Sequence, residues 1–138
     1  MRTYRPLIAP LAAGAVALLM SLLFVATGAW SIYDEYTHFD YVVRIAESLD
    51  LPMVNDTLGQ TALQAAVCGP APGFGNLASA CGADIVDPGL TPYAGASTAT
   101  SYLPTFYAIT GLGAKVLHAV PLGLSWLEAA RVVGALYL

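Results

Sequence analysis

The chain has 138 residues, of which 57% are hydrophobic and only 10% charged, and its mean hydropathy is +0.66. A water-soluble domain carries roughly 25% charged residues, so this chain has too few charges to cover a soluble globule. Its five basic and nine acidic residues give a net charge of −4, and they form no basic stripe that could neutralise phosphates. The composition therefore excludes a nucleic-acid binder, a water-soluble enzyme and a disordered tail, and it predicts an integral membrane protein.

The first apolar block predicts a transmembrane helix within residues 1–33. The block consists mostly of Leu, Ala, Val, Gly and Phe, and it exceeds the roughly 20 residues that a helix needs to cross the hydrocarbon core. Arg2 and Arg5 precede it and predict a cytoplasmic N-terminus. A cleaved signal peptide is the alternative, because residues 27–29 resemble a small-residue cleavage site, but the apolar region of a signal usually has about 7–15 residues.

Residues 34–52 are predicted to form an amphipathic helix in the membrane interface on the extracytoplasmic side. Its apolar residues recur at three- and four-residue spacing and give one stripe, which would face lipid or neighbouring helices. Ser31 is the expected N-cap. Asp34 and Glu35 would then occupy the first turn, where the helix dipole favours anions. Pro52 is expected to end the helix.

Residues 53–100 are rich in Gly, Pro, Ser and Thr, and they predict a long extracytoplasmic loop with at most a short helix at 58–67. The two cysteines of the chain, Cys68 and Cys81, both lie in this loop. The outer compartment permits oxidation, so we predict a disulfide between them, with free thiols as the alternative.

Residues 101–120 predict a second transmembrane helix, which opens with proline and aromatic residues. Lys115 and His118 lie near its far end, where a lysine stem can carry its ammonium group out to the cytoplasmic headgroups. The last turn of this block therefore suits a cytoplasmic exit.

Residues 124–138 predict the start of a third span, in which Glu128 and Arg131 share a helix face and are expected to pair. Only 15 residues of this span are present and no polar tail follows, so we expect the sequence to be the front of a longer protein. The predicted fold class is all-α: multi-pass transmembrane helices with an amphipathic interfacial helix and a long extracytoplasmic loop.

The residues with the clearest chemistry follow the first span. Asp34, Glu35 and His38 are three and four positions apart, so they can share one side of the first helical turns. Such a carboxylate pair can act as a general base, hold a divalent cation through oxygen ligands, or cap the helix and face water. Arg44 can meet a carrier phosphate, but acids three and four residues away also explain it as a surface ion-pair residue.

The segment Asp34-Glu35-x-x-His38-Phe-x-Tyr, followed by a long outer loop and a span that opens with Tyr102-Leu-Pro-Thr-Phe-Tyr107, resembles the start of the membrane-bound GT-C glycosyltransferases. The resemblance is to the DUF2142-like group and to the group similar to dolichyl-phosphate-mannose-protein mannosyltransferases. It covers most of the chain in layout and about twenty residues in identity.

This resemblance implies transfer of a sugar from a polyprenyl-phosphate donor at the outer membrane face. It implies that Asp34 acts as base or positions the acceptor hydroxyl, and that Glu35 assists it or helps to hold a divalent cation in the members that use one. His38 and Arg44 are the corresponding candidate substrate-binding residues. Three helices cannot enclose a carrier-lipid site, so we expect the 138 residues alone to be inactive. The alternative is a non-catalytic multi-pass membrane protein, a transporter or scaffold subunit, whose outer loop binds a partner.

Overall fold

The computed structural model describes residues 5–27, 34–68, 81–82 and 92–136. These ranges contain five α-helices, no strand and one isolated antiparallel bridge between Thr57 and Ala96. The predicted all-α class is therefore confirmed for the described part of the chain. In chain order the helices are α1 (Arg5–Thr27), α2 (Glu35–Ser48), α3 (Gln60–Cys68), α4 (Pro104–Ala119) and α5 (Trp126–Ala135), and short 3-10 turns at Pro92–Gly95 and Ala99–Ser101 precede α4.

Among the described helices, α1 alone is long and apolar enough to cross a membrane. Its segment Ile8–Ala26 has a mean hydropathy of 2.4, and none of it is buried against the rest of the chain. A signal sequence has the same properties, so this helix shows a membrane-compatible N-terminal segment and no more. The second and third predicted spans correspond to α4 with 16 residues and α5 with 10. Both are shorter than a crossing usually requires, and the multi-pass arrangement stays a prediction.

The predicted amphipathic helix is present as α2, but it is shorter at both ends. Ser31 lies outside the described residues, and Asp34 takes the N-cap position in its place, without a side-chain capping bond. At the other end α2 stops before Pro52 because Leu49 adopts a left-handed conformation, with φ at 58°. The N–H group of Leu49 bonds to the carbonyl of Ile45, and this closes the helix in the way that a left-handed C-terminal residue usually does.

Packing of α2 against other helices settles which way its apolar stripe faces. Nine of its 14 residues are buried, and the helix contacts α3, α4 and α5. One close approach is at Gly111 of α4, where an added Cβ would lie 2.7 Å from the carbonyl oxygen of Val42 and 3.3 Å from the nitrogen of Ala46. The stripe therefore faces neighbouring helices, which is one of the two orientations that the sequence allowed.

Helices α4 and α5 form a hairpin around a tight turn in which Gly123 has a φ of 70°. Gly113 packs against Val133, and near the turn the ring of His118 stacks on that of Trp126, with the ring centroids 4.5 Å apart. The opposite face of α4 carries large apolar side chains that are about half exposed or more. They are Ile109, Leu112 and Val116.

The predicted disulfide is present and links the end of α3 to residue 81. Cys68 and Cys81 are joined, with their Cα atoms 5.1 Å apart. The side-chain oxygen of Gln64 also accepts a hydrogen bond of 2.8 Å from the backbone N–H of Gly82, which holds the two ends of this loop together. The short helix expected at 58–67 is α3, displaced by one or two residues.

The contact at Gly111 gives a test of this packing. We expect Gly111→Ala to lower the free energy of unfolding by about 1–3 kcal/mol, because the new methyl group would press on backbone atoms that cannot rotate away. The matched control is Gly134→Ala in α5, where a Cβ would meet nothing within 4 Å. That substitution should be neutral or stabilising by up to about 1 kcal/mol. Thermal unfolding in detergent micelles measures both, and equal stabilities of the two variants would contradict the close approach of α2 and α4.

Candidate functional site

A groove of about 180 Å³ lies between α2, α4 and α5. Most of its wall is apolar, and its polar groups come from the beginning of α2, from Thr110 of α4 and from α5. Its lining residues include Glu35, His38, Val42, Phe106, Thr110 and Arg131. Thr110 is buried, and within the described residues its hydroxyl has no hydrogen-bond partner. The groove is the place where the sequence-predicted residues of α2 meet residues from the last two helices.

His38 links a carboxylate on its own helix to a phenol on α4. Its Nε2 atom lies 3.1 Å from Oδ2 of Asp34, one turn earlier, and its Nδ1 atom lies 2.5 Å from the hydroxyl of Tyr107. The Tyr107 ring is buried and stacks on that of Tyr41, with centroids 4.0 Å apart. The Tyr102 ring meets the edge of the imidazole at 4.9 Å. A carboxylate, an imidazole and a phenol therefore form one chain of polar contacts across two helices.

Exposure along this chain rises toward Asp34. The side chain of His38 is 29% exposed and that of Asp34 is 41% exposed, while Tyr107 is buried. A carboxylate that is open on one side and hydrogen-bonded to an imidazole on the other can accept a proton from a hydroxyl group that binds in front of it. The arrangement therefore fits a general base, which is one of the three roles open to the acidic pair.

Glu35, the second member of the acidic pair, is engaged by Arg131 of α5. The Nε and Nη2 atoms of Arg131 donate to the two carboxylate oxygens of Glu35 over 2.7 and 2.8 Å, and the side chains are only 7% and 18% exposed. The guanidinium also lies over the ring of Phe24 in α1, 4.6 Å from the centroid. One ion pair thus connects α1, α2 and α5.

The bidentate partner of Arg131 is thus Glu35 and not Glu128, the residue expected from the sequence, although Glu128 is still within electrostatic reach of Arg131. Glu128 instead forms a capping box with Ser125: its carboxylate accepts from the Ser125 backbone, and its own N–H donates to the Ser125 hydroxyl. A capping box satisfies two orphan N–H groups at the start of α5. Arg131 lies about one helical turn after Glu128, and its side chain extends toward α2.

The bidentate pair also bears on the predicted roles of Glu35. Both of its oxygens accept from a guanidinium, so this carboxylate is poorly suited to act as a base or to coordinate a cation. Within the described residues no group of three or more His, Cys, Asp or Glu side chains could hold a metal ion. The residues at the acidic pair thus do not fit a divalent cation, and Glu35 holds helices together. Its predicted catalytic role stays a prediction without geometric support.

Arg44, the other candidate substrate-binding residue, does not line the groove. Its Nε donates to Asp40 over 2.9 Å, and it also contacts Asp56 and the carbonyl of Thr57. Asp40 is only 2% exposed. Burial raises the pKa of the Asp40 carboxyl, although the N–H of Gly59 and the charge of Arg44 act in the opposite direction. This network ties the C-terminal half of α2 to the loop that follows it.

Two of the residues in the site could not be assigned a role from the sequence. Tyr107 is 69 positions from His38 and Arg131 is 96 positions from Glu35, so local spacing does not reveal either contact. The aromatic opening of α4 was the one available signal for Tyr107. A basic residue in an apolar block was the corresponding signal for Arg131, because charged groups in such blocks usually find a partner.

The chain was compared with protein-family models, with curated proteins and with solved structures, and none of these comparisons finds a match. The resemblance to GT-C glycosyltransferases therefore depends on the segment around Asp34 and His38 and on the order of the helices.

A double-mutant cycle tests the ion pair between Glu35 and Arg131. We expect Glu35→Gln and Arg131→Gln each to cost about 3 kcal/mol of stability, because each leaves a largely buried charge without its counterion. The double variant should cost clearly less than the sum of the two. The control is Glu128→Gln, whose amide oxygen can still accept from Ser125 in the capping box, so it should cost little and couple to Arg131→Gln far less than Glu35→Gln does. Coupling to Glu128 in place of Glu35 would contradict the observed pairing.

Proposed function

We propose that this chain is part of a membrane-embedded glycosyltransferase that takes a sugar from a polyprenyl-phosphate donor at the outer membrane face. Asp34 acts as the base toward the acceptor hydroxyl, and His38 holds it in place. In this proposal α1, α4 and α5 belong to a multi-pass arrangement, the N-terminus is cytoplasmic, and residues 34–100 are extracytoplasmic. The activity requires further helices to complete the lipid site, so these 138 residues alone are inactive.

The observation that supports the proposal best is the placement of Asp34. It lies seven positions after the end of a helix that is long enough to cross a membrane, and its carboxylate is partly exposed beside His38. A residue so soon after a spanning helix lies at the level of the lipid headgroups. A lipid-linked donor presents its phosphate and sugar at the same level, so the carboxylate and the reacting carbon can meet there.

The chemistry needs one base and one leaving group. The acceptor hydroxyl gives its proton to the Asp34 carboxylate as its oxygen forms a bond to the anomeric carbon of the sugar. The bond from that carbon to the phosphate oxygen breaks, and the electron pair leaves with the polyprenyl phosphate. A positioned base of this kind contributes about 100- to 10,000-fold to a rate.

The two faces of α4 support a membrane location for this helix. The face toward α2 and α5 carries small residues, Gly111 and Ala114, which allow close approach of the backbones, while the opposite face carries exposed Ile109, Leu112 and Val116. Small residues between helices and large apolar residues toward the surroundings are typical of helices packed in lipid. The 16 residues of α4 measure about 24 Å along the axis, and apolar Leu103 and Val120 extend it at its ends.

Cysteine labelling tests the topology. Both native cysteines are in a disulfide, so a single introduced thiol reports alone. Val54 after α2 and Leu122 in the α4–α5 turn are 76% and 64% exposed, so Val54→Cys and Leu122→Cys suit this purpose. We expect a membrane-impermeant maleimide to label Val54→Cys in intact cells, and Leu122→Cys only after permeabilisation. Labelling of both variants in intact cells would contradict the second span. Labelling of Val54→Cys only after permeabilisation would show that the topology is the reverse of the proposed one.

Asp34→Asn tests the catalytic assignment in the full-length protein. We expect transfer from a polyprenyl-phosphate sugar to fall at least about 100-fold, while membrane insertion and thermal stability stay unchanged. Glu47→Gln, at an exposed acid further along the same helix, is the matched control and should keep full activity. Normal turnover by Asp34→Asn would contradict the role of Asp34. If the unmodified protein transfers no sugar from any polyprenyl-phosphate donor, that result would favour the alternative of a non-catalytic membrane subunit.

A further inference from the structure

We propose that Tyr107 is a positioning residue that keeps His38 in a single neutral tautomer, with its proton on Nε2, so that the imidazole donates a hydrogen bond to Asp34. The evidence is the chain of contacts from Tyr107 through His38 to Asp34. The assignment of the tautomer depends on geometry alone, and its consequence for catalysis rests on the proposed function of Asp34.

When Asp34 is ionised, the His38 ring is neutral and both contacts are kept, the hydrogen-bonding capacity of the three groups allows one arrangement. An ionised carboxylate can only accept, so the Nε2 atom, 3.1 Å away, must carry a hydrogen. In the neutral ring the other nitrogen is then an acceptor. Nδ1 lies 2.5 Å from the Tyr107 oxygen, so the phenol donates to it. The Nδ1-protonated tautomer would instead turn a lone pair toward the negative carboxylate.

Tyr107 can hold the imidazole in the orientation that keeps both contacts, because its own position is fixed by packing. Its ring is buried, stacks on Tyr41 and meets Phe106 edge-on. The helix that carries it is held against α2 by the close contact at Gly111. The phenol therefore reaches the imidazole from a second, independently packed helix.

The other charged groups near His38 leave this assignment unchanged. Glu35 and Arg131 also line the groove with His38, but they neutralise each other in their bidentate pair. Tyr102 contacts the imidazole through its ring edge. Among the described residues, the ring nitrogens of His38 thus have one acidic and one phenolic partner.

A fixed donor to Oδ2 gives Asp34 a defined orientation, with Oδ1 directed to the acceptor hydroxyl. Without the Tyr107 hydroxyl, the imidazole of His38 could rotate or populate the other tautomer. The Asp34 carboxylate would then lack its hydrogen bond from Nε2 for part of the time. The expected kinetic effect is a kcat about tenfold lower, the size expected for one hydrogen bond, with little change in KM, because Tyr107 is buried and does not line the groove.

Nitrogen NMR of the full-length protein in micelles, labelled with ¹⁵N-histidine, measures the tautomer directly. The spectra are recorded near pH 8, where a histidine of ordinary pKa is neutral. The other histidine of the described region is His118, and His38→Gln identifies the signals of His38. Tyr107→Phe removes one oxygen and keeps the ring stack. Tyr41→Phe is the matched control, because it alters the stacking partner and leaves the hydroxyl of Tyr107 in place.

We expect one Nε2-protonated form of His38 in the unmodified protein and in Tyr41→Phe, and a mixture of both tautomers in Tyr107→Phe. A mixture in the unmodified protein, a predominantly Nδ1-protonated ring, or a tautomer unaffected by Tyr107→Phe would overturn the proposal. The spectra decide this question even if Asp34→Asn retains full turnover. In that case the proposed function fails, while the spectra still decide which tautomer His38 adopts.

Discussion

The close packing of α2 against α4 is the constraint on which the rest of the site depends. Gly111 lets the carbonyl of Val42 approach to a distance that no larger residue would allow without rearrangement. This approach brings His38 within reach of Tyr107. It also closes the groove that the imidazole and the ion pair of Glu35 line, with Asp34 hydrogen-bonded to the imidazole. Without this close approach, Asp34 and Glu35 would be ordinary acids at the start of a helix, exposed to water.

The two adjacent acids of α2 have different environments and therefore different capacities. Asp34 is at the N-cap, partly exposed and supported by an imidazole, whereas Glu35 points inward and is held by a guanidinium from α5. A buried ion pair is weak evidence for stability but fixes relative orientation well. Glu35 and Arg131 thus set where α2 begins relative to α5, and this leaves Asp34 as the member of the pair that can react.

Local features of the fold were predictable because they depend on short-range patterns. The apolar first helix, the amphipathic α2, the short α3 and the disulfide follow from composition, spacing and compartment. The partners of Arg131 and His38 were not predictable, because these contacts join residues 96 and 69 positions apart. The helix-face rule suggested Glu128 for Arg131, but the capping box at Ser125 already engages Glu128. Tertiary packing gave Arg131 a partner that local spacing does not suggest.

The contact between Phe24 and Arg131 has a consequence for the biogenesis of the protein. If a peptidase excised α1 during export, the mature chain would lose the aromatic face that covers one side of the guanidinium. The wall of a second cavity, formed by Met20, Val25 and neighbouring residues, would be lost with it. Removal of α1 would therefore uncover a largely buried guanidinium and change the surroundings of the ion pair that links α2 and α5.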